Sequence, residues 1–269
     1  MNYIKQLLKV MLWPVIFITG KFFIKYLFVS FYNSQHIIGY RKMFPNLSDV
    51  DIVKTLKYQT ELNNYLNSKA FIITLITFII FGIIFILKTK NYQKENSKIN
   101  LKNIISIVLL GIFISLFYNI FIYNINNVIH ITNNYYISSV PLIILILTSG
   151  IMGPILEELL FRGIVYNKLL TFNNHKRAFI ITCVIFSLMH YPNIINMIYT
   201  FILSFILIYL YDKYKTLKAP IILHISVNTT INLFLPLILK NNIFYNYVLL
   251  LISLVVIMYI SLKNANKCS

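Results

Sequence analysis

Glu157, Glu158 and Arg162 stand within six residues of one another in the apolar stretch Pro154-Ile155-Leu156-Glu157-Glu158-Leu159-Leu160-Phe161-Arg162-Gly163. An ionisable side chain near the middle of a bilayer costs about 2.5 kcal/mol or more, so three together mark a site with chemistry to perform, unless they form a solvated ion pair at the membrane edge. Two histidines on later apolar runs weigh against the edge. His190 follows Phe186-Ser187-Leu188-Met189, and His224 lies in Ala219-Pro220-Ile221-Ile222-Leu223-His224-Ile225-Ser226-Val227-Asn228. A single intramembrane histidine is commonly a hydrogen-bonded packing residue. Two of them with a diacid are best satisfied by converging on one wet cavity.

Helical spacing sorts the roles. Glu158 and Arg162 are four apart on one face, in the order that favours an intrahelical ion pair. Glu157 points about 100° away and is left without an obvious charge partner, which suits a general base. His224 and Asn228, also four apart, present an imidazole and an amide side by side, a pair able to donate hydrogen bonds to one developing oxyanion. The remaining histidines, His36, His130 and His175, fall in polar connections, and the other acidic residues fall in loops or at span ends.

The elements that position these residues are apolar helices. Of 269 residues, 58% are hydrophobic and 12% charged, and the mean hydropathy is +0.75. Runs of about 20 apolar residues recur, each long enough to cross a hydrocarbon core of about 30 Å, without the alternation of a β-barrel. The expected fold is an all-α polytopic bundle of about eight spans, near 7–32, 70–87, 104–123, 140–165, 178–192, 194–211, 219–238 and 243–262. The fifth is short and needs help from its neighbours to cross, or dips and returns. Between the first two lies a polar segment, 33–69, in which Ser48-Asp49-Val50-Asp51 reads as a helix start on a surface helix.

The formal charge of +17 is dispersed through short loops, which argues for lipid headgroups and orientation rather than nucleic acid. With the N-terminus inside, cytoplasmic pieces hold 15 lysines and arginines against 6 outside, so both termini are expected on the cytoplasmic side of the cell membrane. The other three are Arg162, Lys21 and Lys25. Lys25 can snorkel, but Lys21 has to face protein or a wet groove. The first helix reads as an anchor rather than a cleaved signal. Cys183 and Cys268 support neither a disulfide framework nor a thiolate metal site, and Cys268, one position from the end, is no C-a-a-X signal. No internal repeat or linker divides the chain, which reads as one structural domain with N-terminal helices at 1–139, core helices at 140–235 and a C-terminal helix and tail at 236–269.

Glu157-Glu158-x-x-x-Arg162, Phe186-x-x-x-His190 and His224-x-x-x-Asn228, in this order on successive helices, resemble the three motifs of the CPBP family, the CAAX-processing and bacteriocin-processing intramembrane proteases. Phe161-Arg162-Gly163 and Ala219-Pro220 match its flanks. The resemblance covers roughly 140–235. It departs at Lys215-Thr216-Leu217-Lys218, where a small or aromatic residue is common, which bears on local loop shape. It implies a helical membrane fold with a cavity, cutting peptide bonds of a membrane-associated peptide or protein. Glu157 would be the water-activating base, His190 its assistant, His224 and Asn228 the oxyanion pair, and Glu158 and Arg162 the supporting ion pair.

No cofactor is expected. The alternative is zinc on Glu157, His190 and His224. A ligating Glu157, however, would leave the base role to a Glu158 already tied to Arg162, and no H-E-x-x-H is present. Other classes stay open: a transporter using the same residues as a proton relay, or a non-catalytic immunity or scaffold protein. For a peptidase, leader-peptide processing, self-immunity and cleavage of another membrane protein all fit, as does a prenylated peptide.

Overall fold

A computed structural model describes residues 2–90, 99–129, 140–240, 248–249 and 251–257. Among them every regular element is helical, as an all-α polytopic bundle requires. The elements are α1 (Asn2–Met43), α2 (Asp49–Ile52), α3 (Leu56–Ser68), α4 (Ala70–Thr89), α5 (Leu101–Ile129), α6 (Leu142–Leu170), α7 (His175–Leu188), α8 (Ile194–Tyr214) and α9 (Lys218–Lys240). Five are long and apolar enough to cross a membrane: α1 over Tyr3–Met43, α4, α5 over Leu101–Ile122, α6 and α8.

Two expected boundaries move. The first helix runs to Met43 rather than 32, about 63 Å at the usual rise, twice a hydrocarbon core. Asn33, Ser34 and Gln35 end the apolar run without breaking the helix, which stops only before Pro45. The fifth run is a helix of 14 residues, His175–Leu188, about 21 Å and too short to cross alone. Asn174 caps its start, Oδ1 accepting from the Arg177 N–H at 2.9 Å. The expected eighth span, 243–262, lies largely outside the described residues.

The polar segment folds as expected around Ser48, whose Oγ accepts from the Asp51 N–H. It packs with the end of α1 as a cap: Arg41 grips Asp49 through two hydrogen bonds of 2.7 and 2.6 Å, and Tyr40 donates to Glu61. The bond from Arg41 holds the exposed Asp49 carboxyl below its usual range.

α6 is not uniformly wound. Its Gly153–Glu158 segment is α-helical, but Ile146–Met152 before it and Leu159–Tyr166 after it are π-helical. Each has a local cause. Pro154 has no N–H to give the preceding turn. Beyond the diacid, the Asn167 side chain inserts into the ladder, Nδ2 donating to the carbonyls of Arg162 at 2.7 Å and Gly163 at 3.1 Å. Such insertions are concentrated at functional sites.

α9, which carries His224, lies against α5 and α6. Lys215, left-handed with φ 51°, ends α8, and Pro220 sits in the first turn of α9, where its missing N–H costs nothing. The α5–α9 approach depends on Gly111: a Cβ there would lie 2.7 Å from Ser226 Cβ and 2.9 Å from the Leu223 carbonyl oxygen. Small residues permit such backbone approach in membrane bundles. We expect Gly111→Ala to lower the melting temperature of the purified protein by several degrees, because a backbone carbonyl cannot step aside cheaply. Gly39→Ala, with nothing within 4 Å of the new Cβ, should leave it unchanged or raise it slightly. Equal behaviour of the two variants in a thermal unfolding scan would refute the close-approach explanation.

Candidate active site

Glu158 and Arg162 are fully buried, with no exposed side-chain area. Arg162 Nη1 donates to Glu158 Oε1 at 2.9 Å, so the ion pair expected from the spacing forms even though Arg162 lies on a π turn. Arg162 Nη2 reaches α8, donating to Ser204 Oγ at 2.7 Å and to the Ser204 carbonyl at 3.2 Å. The guanidinium carbon stands 4.8 Å from the centre of the Phe186 ring, a cation–π contact in a desolvated setting.

The same Glu158 oxygen accepts a second bond, from His224 Nδ1 at 2.8 Å. That link between α6 and α9 had no signature in the spacing of either helix. It sets the orientation of the ring: with Nδ1 donating to Glu158, His224 turns Nε2 toward Glu157, whose Oε2 is 3.8 Å away. This is near contact but too long for a hydrogen bond. Glu157, 23% exposed, lines an open cavity of about 710 Å³ together with Asn228. Asn228 donates one amide hydrogen to the Ser149 carbonyl at 3.1 Å, which orients the group and leaves its second donor available.

His190 follows the end of α7. Its Nδ1 donates to the Phe186 carbonyl at 3.0 Å, leaving Nε2 as the free nitrogen, and its neighbours Met189 and Tyr191 line the cavity. Among the described residues no hydrogen bond joins His190 to Glu157. Phe186, almost fully buried, lies between the motifs, its ring centre 5.2 Å from that of His190 and 5.9 Å from that of His224. Among the described residues no three His, Cys, Asp or Glu side chains are grouped as ligands for a metal ion.

Reading the sequence alone missed Ser204 and Ser149. Both are small polar residues within apolar runs, a weak signal because such hydroxyls commonly bond to their own helix. Lys21, by contrast, lies where its charge demanded: it and Lys25 line the same cavity as Glu157.

The bundle and its buried charge cluster define a polytopic membrane protein with a polar, cavity-facing site. The comparisons with known proteins match one stretch of the chain. Residues 139–230, which contain all seven motif residues, match the domain described as type II CAAX prenyl endopeptidase Rce1-like, in agreement with the resemblance of the three motifs. "Putative membrane peptidase YdiL" of Bacillus subtilis (strain 168) is 38% identical over 93 residues, 35% of this chain and 37% of that protein. "UPF0177 protein YxdF" of Lactococcus lactis subsp. lactis (strain IL1403) is 38% identical over 79 residues, 29% of this chain and 43% of that protein. The chain thus spans less than half the length of these relatives. No solved structure matches.

Removing one partner of a buried ion pair typically costs about 3–5 kcal/mol, because the other charge stays buried. Arg162→Ala should therefore sharply reduce the amount of folded protein recovered from membranes. Ser204→Ala, which removes one of the three acceptors and leaves the carboxylate paired, should be much milder. Normal recovery of Arg162→Ala, measured by size-exclusion chromatography in detergent, would contradict the structural role.

Proposed function

We propose that the protein is an intramembrane endopeptidase that hydrolyses a peptide bond of a membrane-associated peptide or protein, in a multi-pass cell-membrane protein with both termini cytoplasmic. One observation carries the reading. Of two adjacent carboxylates, Glu158 is sealed and bonded to Arg162 and His224, while Glu157 is partly exposed on a cavity with Asn228 beside it. The match to an endopeptidase domain and the peptidase name of one relative support the same chemistry.

In this reading Glu157 takes a proton from a water molecule in the cavity as that water attacks the scissile carbonyl. His190 assists through its free Nε2. The carbonyl oxygen becomes an oxyanion, which accepts hydrogen bonds from His224 Nε2 and from the second amide hydrogen of Asn228. For His224 to donate there, Nε2 must carry a proton as well as Nδ1, and Glu158 Oε1 at Nδ1 supplies the negative partner for that form. Collapse of the tetrahedral adduct breaks the C–N bond, and the proton held by Glu157 passes to the leaving amine. Glu158 and Arg162 position His224 and do not touch the reacting atoms. No step calls on a metal or other cofactor.

The test is peptide hydrolysis by purified protein in lipid nanodiscs, with substrates drawn from membrane proteomics of cells carrying wild type or Glu157→Ala. Glu157→Gln and His190→Ala should each lower kcat by about 10²–10⁴-fold with the protein still folded, and wild-type activity should survive prolonged chelation by phenanthroline. Substantial turnover by Glu157→Gln would remove Glu157 from the base role. Loss on chelation restored by stoichiometric zinc would make Glu157, His190 and His224 ligands instead.

A further inference from the structure

Lys21 and Lys25 lie outside the matched domain, on α1, one helical turn apart and on one face. Both side chains are exposed and both line the cavity that Glu157 and Asn228 also line. Lys21 Nζ stands 5.1 Å from the centre of the Phe17 ring, a cation–π contact that holds the ammonium over an aromatic face. Two like charges at this spacing on an apolar helix repel each other and resist desolvation.

Among the described residues no ion pair joins an acidic side chain to either lysine. Asp49 and Asp51 pair with Arg41 and Lys54, Glu61 accepts from Tyr40, Glu158 pairs with Arg162, and Asp212 pairs with His175. Glu95 lies outside the described residues. That leaves Glu157, a single carboxylate facing two ammonium groups across one cavity. Among the side chains that line the cavity, two positive charges therefore stand against one negative when Glu157 is ionised, before any charge on His224 is counted, and an incoming anionic group compensates that surplus.

We infer that Lys21 and Lys25 form a binding position for a carboxylate of the peptide substrate, seating it beside Glu157. The inference rests on the peptidase reading of the cavity. Without the lysines, Glu157 would repel any acidic segment brought to it. With them, a carboxylate some residues from the cut bond anchors the chain, and the ammonium groups, as flexible point charges, accept either a side-chain or a terminal carboxylate.

Binding rather than turnover separates this inference from the peptidase reading. Probes are fluorescent apolar decapeptides with both ends blocked, carrying either one Glu or one Gln near the C-terminal end. A third probe carries Gln and a free C-terminal carboxylate. The protein is the hydrolysis-impaired Glu157→Gln chain in phosphatidylcholine nanodiscs, read by anisotropy. The Glu probe should bind about tenfold more tightly than the Gln probe, equivalent to about 1.4 kcal/mol. The preference should vanish with Lys21→Gln/Lys25→Gln and return with Lys21→Arg/Lys25→Arg. If the third probe shares the preference, the terminal carboxylate is also a source; if it binds like the blocked Gln peptide, the source is the side chain alone. Equal binding of Glu and Gln probes, or a preference that survives Lys21→Gln/Lys25→Gln, overturns the inference. So does a preference abolished when phosphatidylglycerol replaces phosphatidylcholine, which would assign the lysines to lipid phosphate. Failure of the wild type to hydrolyse any probe, with the binding preference intact, would count against the peptidase reading alone.

Discussion

Glu158 Oε1 receives hydrogen bonds from two helices, from Arg162 Nη1 within α6 at 2.9 Å and from His224 Nδ1 on α9 at 2.8 Å. A buried charge in a membrane protein is tolerable only if its partners come with the fold, and here they come from three directions, because Arg162 also reaches Ser204 on α8. The arrangement of α6, α8 and α9 around this point is therefore as much an electrostatic requirement as a packing result. Phe186 completes it from α7, its ring set against the guanidinium and edge-on to Phe161. Moving the histidine takes away one of the carboxylate's two bonds, and moving the carboxylate leaves the buried arginine without its counter-ion.

Much of this was legible in the sequence, and the reason is cost. Ionisable residues are expensive in apolar helices, so Glu157, Glu158, Arg162, His190 and His224 stood out, and helical periodicity alone paired Glu158 with Arg162. Lys21 was legible for the same reason: a mid-helix lysine must find a wet surface, and it does. What periodicity cannot supply is contact between helices. The Glu158–His224 bond and the Ser204 acceptor depend on which faces of α6, α8 and α9 meet. Hydropathy also misjudged the ends of α1 and α7, since it records where apolar residues stop rather than where a helix stops. Asn33 to Gln35 continue α1 to Met43, and α7 ends at Leu188 although Tyr191 and Pro192 extend the apolar stretch.

The two carboxylates are neighbours in sequence but not in environment. The 100° step between successive helical positions turns one into the packed junction and the other toward the cavity. Local winding keeps them so. The α-helical segment holding both is bounded by π turns, one set by Pro154 and one by the Asn167 side chain. These widen the helix above and below the pair without disturbing the step between them. One structural carboxylate and one exposed to water can therefore occupy adjacent positions, the separation of environments that lets paired acids take different roles.

The cavity is not built by the matched domain alone. From residues 139–230 Glu157, Asn228, Ser149 and Met189 line it, and Phe17, Lys21 and Lys25 on α1 and Thr74 and Thr77 on α4 line it as well. α1 is clamped to α4 by edge-to-face contacts of Phe17 with Phe81 and Phe85, and Gly20 leaves room for the Phe81 ring. α4 is held in turn to α6, where Gly163 lies against Thr89 with no space for a Cβ between them. The chemistry-bearing side chains and the opposite wall are thus separate in sequence and rigidly joined in space. A change on α1 or α4 can alter what fits and what charge is welcome without touching the bonds that hold Glu158, Arg162 and His224. Selectivity can vary on one side of the cavity while the buried charge balance fixes the other.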